Sequence, residues 1–136
     1  MTSTKLHKLE ATAHTGDTTT SLVSAAEDIA AVWSAGAVER IMDSIGRYVE
    51  ALQQFDVDHD LGIFDAGHGA LVEVATGHDV VYKPCGAGGG DIGVVFASNE
   101  ESVSEFCEAA KAHQFVQLDL EPDARGTQAV SGAEIE

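Results

Sequence analysis

Apolar residues recur along much of the chain at the spacing of an amphipathic helix. Between positions 38 and 55 they return every three or four residues, over about five turns, and the opposite positions are charged or polar. This pattern predicts a long helix that packs on a sheet. Residues 20–33 and 65–75 show the same spacing over shorter lengths and predict two further helices.

A helix start signal stands at residues 98–101, with the sequence S-N-E-E. It fits a capping box in which Ser98 accepts a hydrogen bond from the backbone three residues on and Glu101 reaches back. The predicted helix turns a mostly apolar face inward. That face carries Val103, Phe106, Cys107 and Ala110.

Four segments show the patterns of β-strands. Residues 5–14 alternate imperfectly and residues 115–120 alternate more regularly, which predicts a first and a last strand. Residues 80–82 are β-branched or aromatic, which favours a strand. Residues 92–97 are apolar almost throughout, which is typical of a central strand covered on both faces.

The predicted order is β, α, α, α, β, β, α, β, which favours an α+β fold arranged as a two-layer sandwich. No internal repeat or long linker divides the sequence. We therefore expect a single domain over residues 1–136, with a core from about residue 6 to about residue 126.

Composition excludes some partners. The chain of 136 residues has a formal net charge of −16, which disfavours nucleic acids and anionic membrane surfaces as partners. No apolar run approaches the roughly 20 residues of a membrane span. Cys85 and Cys107 do not form a C-x-x-C pair and are interpreted as free thiols in a reducing cytoplasm, although the sequence leaves a disulfide between them open.

Other polar residues give weaker signals. Asp56, Asp58 and Asp60 resemble a calcium loop, but glycine is missing from the sixth position and glutamate from the twelfth, which argues against a metal site. The sequence offers no partner for three histidines, which are interpreted as surface or structural residues. They are His14, His68 and His78.

The strongest chemical signal is a run with four glycines in the five residues 86–90, between two predicted strands. A hairpin turn needs one or two glycines, and each further one costs about 0.5–1 kcal/mol in conformational entropy. Bare backbone N–H groups approach an anion closely, which favours a binding role over a flexible turn. Asp91 stands where a nucleotide P-loop has lysine, and the following strand excludes a dinucleotide fingerprint.

Residues 83–93, K-P-C-G-A-G-G-G-D-I-G, resemble the third motif of the galactokinase, homoserine kinase, mevalonate kinase and phosphomevalonate kinase (GHMP) superfamily. The form in phosphomevalonate kinases is usually K-x-S-G-A-G-G-G-D-C-G, and Asp91 distinguishes it from the mevalonate and galactose kinases. Cys85 replaces the usual serine and Ile92 the usual cysteine. Residues 15–20, T-G-D-T-T-T, resemble a threonine-rich segment of the same family more weakly.

This resemblance implies a ferredoxin-like C-terminal domain that takes part in ATP-dependent phosphorylation of 5-phosphomevalonate in the cytoplasm, with ATP and Mg²⁺ bound mainly by an N-terminal domain. In that interpretation the glycine run lines the cleft near the phosphates, Lys83 adds positive charge and Asp91 braces the loop. The resemblance implies ten substrate- or phosphate-binding residues. They are Thr18, Thr19, Lys83, Cys85, Gly86, Ala87, Gly88, Gly89, Gly90 and Asp91.

The family's phosphate-wrapping motif, P-x-x-x-G-L-G-S-S-A, does not occur in this sequence. We therefore expect the chain to act with a missing N-terminal kinase domain, carried by the same protein or a second chain, and to be inactive alone. Two alternatives stay open. One is another kinase of the superfamily or a diphosphomevalonate decarboxylase, and the other is a non-catalytic α+β binding domain.

Overall fold

The computed structural model of the protein describes residues 2–11, 16–86, 88–90 and 92–129. Over these residues it is an α+β fold, as the sequence predicts, with five helices and two strands. In chain order they are α1 (Thr2–Ala11), α2 (Gly16–Ala35), α3 (Val38–His59), α4 (His68–Thr76), β1 (Val80–Pro84), β2 (Gly93–Ala97) and α5 (Glu100–Lys111). None of the described helices combines the length and apolar character that crossing a membrane requires.

Helices α2 and α3 form an antiparallel pair joined by a short turn at Gly36, which adopts a positive φ of 72°. The predicted amphipathic pattern of α3 is confirmed, since Ile45, Val49 and Leu52 are buried. Near the C-terminal end of α3, Leu52 packs in a small apolar cluster with Leu61 and other residues. Burial of this face, rather than helix propensity, accounts for most of the stability of such a helix.

Strands β1 and β2 form an antiparallel pair, in which Val80 faces Ala97 and Pro84 faces Gly93. On one face of the pair, Val80 and Tyr82 pack with residues of α4 and α5 in the main core. On the other face, Val81 approaches Gly46 of α3. Helices therefore contact both faces of the sheet, which adds a layer to the predicted two-layer sandwich.

The prediction of β2 as a central strand is wrong for the described residues, where the sheet contains β1 and β2 alone. The apolar run arises because every residue of β2 is partly buried: Val95 and Ala97 pack on the main core, while Phe96 lines an open pocket together with Trp33 of α2. A continuous apolar run indicates that both faces of a strand are covered. It does not show whether other strands pair with its two edges.

The predicted first strand is also wrong, because residues 5–11 belong to α1. The sequence K-L-H-K-L-E-A contains good helix formers and no β-branched residue. Leu6 and Leu9 are three residues apart, a spacing that fits one face of a helix and breaks the alternation of a strand. The remainder of that predicted strand lies outside the described residues.

The predicted last strand, residues 115–120, has no regular secondary structure. Phe115 packs against the main core, whereas Val116, Leu118 and Leu120 are 81%, 57% and 77% exposed. An alternating sequence suits a β-strand, but a strand also needs a neighbouring strand with which its backbone can form hydrogen bonds. This segment pairs with neither β1 nor β2.

The helix predicted after residue 98 is confirmed as α5, with Phe106 and Ala110 buried and Cys107 packed beside them. Its N-cap is Asn99 rather than Ser98, since the Asn99 side chain accepts a hydrogen bond of 2.8 Å from the backbone N–H of Ser102. Both residue types cap helices well, and the register of the first turn decides between them.

Candidate functional site

The glycine-rich segment 86–90, here called the glycine loop, connects β1 to β2. At its base the backbone N–H of Cys85 donates to the carbonyl of Ile92 over 3.0 Å, which extends the strand pairing by one step. The N–H of Gly88 then donates back to the carbonyl of Cys85 over 3.3 Å. Three glycines of the loop, Gly86, Gly88 and Gly89, adopt positive φ angles between 62° and 69°, a region that other residues enter at a cost.

The glycine loop packs on residues 61–64, here called the docking segment, which follows α3. A β-carbon at Gly88 would lie 2.6 Å from the carbonyl oxygen of Ile63, and one at Gly89 would lie 2.5 Å from that of Gly62. The N–H of Gly89 donates to the carbonyl of Ile63 over 2.7 Å. The two central glycines thus permit a close backbone contact, which a slack connector would not need.

Asp56 of α3 fixes the docking segment from the other side. Its carboxylate accepts hydrogen bonds from the backbone N–H groups of Ile63, over 2.9 Å, and Phe64, over 3.3 Å. The carboxylate that resembled a calcium ligand in the sequence is therefore used in a turn. Among the described residues, no group of three or more histidines, cysteines and acidic residues is arranged to hold a metal ion.

Lysine Lys5 of α1 contacts the loop directly. Its ammonium is nearly buried, at 9% exposure for the residue, and donates to the carbonyl of Gly88 over 2.8 Å. Lys8, one turn further along, pairs with Asp60 beside the docking segment. The chain has only seven lysine and arginine residues against 23 acidic ones. Two of the seven, Lys5 and Lys8, lie close to the glycine loop and the docking segment.

Histidine His68 holds the C-terminal side of the loop. It is the first residue of α4 and is fully buried, with 0% of its surface exposed. Its Nδ1 lies 2.7 Å from the hydroxyl of Tyr82 on β1, and its Nε2 lies 3.0 Å from the carbonyl oxygen of Gly90. His68 was predicted to be a surface or structural residue; it is buried, and both ring nitrogens have partners that the sequence did not reveal.

Tyr82 connects this contact to the sheet. Burial of the phenol and the nearby Cys85 thiol raise its pKa from 10.0 to about 12, so the hydroxyl keeps its proton at any physiological pH. A β-carbon at Gly93, diagonally across the strand pair, would overlap the Tyr82 hydroxyl. Gly93 thereby leaves room for the tyrosine side chain.

The structure distributes the predicted site residues unevenly. Cys85, Gly86, Gly88, Gly89 and Gly90 lie together in or beside the loop, whereas predicted residues Ala87 and Asp91 lie outside the described residues. Cys85 and Cys107 are free thiols, as predicted. Lys83 precedes the loop on β1, and its ammonium donates to the carbonyl of Pro84 over 2.9 Å.

Thr18 and Thr19, the upstream pair of predicted site residues, lie in the first turn of α2. Thr18 borders an open groove between α2 and α3 that also contains Asp28 and Arg47. Among the described residues, none of those that line this groove belongs to the glycine loop.

Sequence reasoning missed Lys5, His68 and the docking segment. A signal for His68 was present, because it stands three residues before Leu71 and seven before Ala75, on the inward face of α4. Lys5 carried no such signal, since it meets Gly88 across 83 residues of sequence.

Comparison with known proteins adds no relative. No protein-family model, no curated protein and no solved structure matches this chain.

Proposed function

We propose that this chain is the substrate-side, C-terminal domain of a cytoplasmic GHMP kinase, closest to phosphomevalonate kinase, with a ferredoxin-like fold. The observation that supports this proposal is the glycine loop. The run G-A-G-G-G, which resembles the superfamily's third motif, connects two antiparallel strands and is held by contacts at Gly88, Gly89 and Gly90. A rigid loop of bare backbone suits phosphoryl transfer, which depends on positioning and charge neutralisation.

In this proposal ATP and Mg²⁺ are held mainly by a separate N-terminal kinase domain. When bound, they supply the phosphoryl group and neutralise the charge that develops on it. The chain's own part is to place the phosphate of 5-phosphomevalonate beside the glycine loop. Gly86 is the residue best situated for that contact, because it is exposed and a β-carbon there would meet no atom within 4 Å.

Binding to the chain itself gives the first test. We expect 5-phosphomevalonate to shift the backbone amide NMR signals of residues 86–90 in a titration, with mevalonate producing smaller shifts because it lacks the phosphate. Gly86→Val should abolish the shifts, because its side chain would project into the open space beside the loop. The φ of 64° at this position makes the substitution cost about 1–2 kcal/mol, which is less than the stability of a typical domain, and circular dichroism checks that the variant is folded. Shifts that are absent, or identical in the Gly86→Val chain, would contradict the proposal.

Activity gives the second test. The chain alone should form no ADP from ATP and 5-phosphomevalonate, and adding a separately expressed N-terminal domain of a phosphomevalonate kinase should restore formation of ADP. Activity with mevalonate, or decarboxylation of diphosphomevalonate, would instead assign the chain to one of those relatives. ATP-dependent phosphorylation by the chain alone would refute its assignment as half of a kinase.

One observation favours a non-catalytic binding domain as the second candidate. The N–H groups of Gly88 and Gly89 donate to Cys85 and Ile63 inside the protein, so neither is directed towards a ligand in this arrangement. For such a domain we expect no shift of the amide NMR signals of residues 86–90 with mevalonate, 5-phosphomevalonate or diphosphomevalonate. This should hold whether or not the N-terminal domain is present.

A further inference from the structure

The surroundings of His68 leave its ring little freedom. The imidazole lies between the rings of Tyr82 and Phe115, with centroids 5.9 Å and 5.7 Å away. Gly67 has no side chain, which makes room for Phe115, since a β-carbon at position 67 would lie 2.9 Å from its ring. A buried ring packed in this way holds one orientation, and its two nitrogens then point at fixed partners.

The hydrogen bonds define which nitrogen carries the proton. The carbonyl oxygen of Gly90 can only accept, so Nε2 of His68 must donate to it. In the neutral ring Nδ1 is then an acceptor, and the Tyr82 hydroxyl donates to it. The pair therefore forms a directed chain from Tyr82 through His68 to Gly90.

Both ring nitrogens of His68 have partners outside α4, since Nδ1 meets Tyr82 on β1 and Nε2 meets a loop carbonyl 22 residues away. The other described attachments of the loop are at Gly88, through Lys5, and at Gly89, through Ile63. His68 extends this support to Gly90, where the loop returns towards β2.

We propose that His68 is a positioning residue for the glycine loop: through its Nε2–H it holds the Gly90 carbonyl inward, and Tyr82 fixes the tautomer that makes this possible. The importance of the contact for phosphate binding rests on the proposed function. The contact itself does not, so it is tested on the chain without any ligand.

Two substitutions separate the two hydrogen bonds. The amide nitrogen of glutamine takes roughly the place of Nε2, so His68→Gln keeps a donor near Gly90. The amide oxygen of asparagine takes roughly the place of Nδ1, so His68→Asn keeps an acceptor near Tyr82 and loses the donor to the loop. His78→Asn is the matched control, since His78 lies beyond α4 with 30% of its side chain exposed and its Nδ1 is 3.8 Å from the Glu105 carboxylate.

Hydrogen exchange at the Gly89 amide reports the loop's opening, because this N–H donates to the Ile63 carbonyl over 2.7 Å while the loop is packed on the docking segment. The exchange rate is measured by NMR at several low urea concentrations. Loss of one buried hydrogen bond shifts an opening equilibrium by about tenfold. We expect about a tenfold faster exchange for His68→Asn, independent of urea, and rates near wild type for His68→Gln and His78→Asn.

Equal rates for the asparagine and glutamine variants would overturn the proposal. So would an acceleration that grows with urea as steeply as global unfolding, because His68 would then only stabilise the core. Should His68→Asn fail to fold, NMR of the ¹⁵N-labelled chain with its natural sequence decides. A proton found on Nδ1 rather than Nε2, or no scalar coupling between Nε2–H and the Gly90 carbonyl, would equally refute it.

Discussion

Replacing Gly88 by alanine tests whether the glycine loop rests on the docking segment as tightly as the structure indicates. The new methyl group would lie 2.6 Å from the carbonyl oxygen and 2.7 Å from the Cα of Ile63. Both are backbone atoms, which have no rotamer by which to move aside. Gly90 provides the matched position, since a β-carbon there meets nothing closer than 3.8 Å and its φ lies outside the left-handed region.

The expected magnitude has two components. A φ of +69° at position 88 costs alanine about 1–2 kcal/mol relative to glycine. Relief of the overlap separates the loop from the docking segment and breaks the hydrogen bond from Gly89 to Ile63, which contributes about 1 kcal/mol. Together Gly88→Ala should lower the free energy of unfolding by about 2–3 kcal/mol. Gly90→Ala should stay within about 1 kcal/mol of wild type.

Urea denaturation followed by circular dichroism measures both variants. With the slope expected for a domain of this size, a loss of about 2–3 kcal/mol moves the midpoint down by about 1–2 M. Gly88→Ala unfolding within about 0.5 M of wild type would show that the loop does not pack against Ile63. Equal losses for the two alanines would show that general loss of glycine flexibility, and not the contact, sets the cost.

Three further predictions concern Tyr82, the N-cap of α5 and Asp56. Because folding favours the neutral phenol of Tyr82, its contribution is complete below pH 10.0 and is lost as the pH rises to about 12. In urea denaturation at alkaline pH, the free energy of unfolding of the wild type should therefore fall by up to about 1.4 kcal/mol per pH unit more than that of Tyr82→Phe. The same pH dependence in both proteins would contradict this. Asn99→Ala should cost about 1 kcal/mol and Ser98→Ala under about 0.5, and the reverse ranking in urea would identify serine as the cap. Asp56→Ala should cost about 1–3 kcal/mol because two backbone donors lose their acceptor, whereas exposed Asp58→Ala should hardly change the thermal midpoint; similar midpoints would refute the role of Asp56.

Local sequence patterns predicted the elements whose apolar spacing lies within one continuous segment. The apolar face of α3 repeats over many turns, and two of the four predicted inward residues of α5, Phe106 and Ala110, are buried. The strand pattern at residues 115–120 failed because a strand also needs a partner edge, which no periodicity encodes. The strand predicted over α1 failed because only Leu9, Ala11 and Ala13 alternate, whereas the spacing of Leu6 and Leu9 is helical.

The candidate site was likewise predicted only in part from the sequence. The run of glycines marked the loop correctly, since unusual glycine density reports an unusual backbone. Sequence could not show what the glycines approach. The contacts of Gly88 with Lys5 and Ile63 join segments far apart along the chain, and only folding brings them together.

Because Gly93 leaves room for the Tyr82 side chain, each of these two positions limits which substitutions the other can accept during evolution. No side chain can be accepted at position 93 while the large ring occupies that space. Tyr82 would first have to be replaced by a smaller residue. His68 would then lose the hydroxyl that donates to its Nδ1. Substitution at these positions must therefore follow a fixed order, and the last glycine of the motif is retained as long as the tyrosine is.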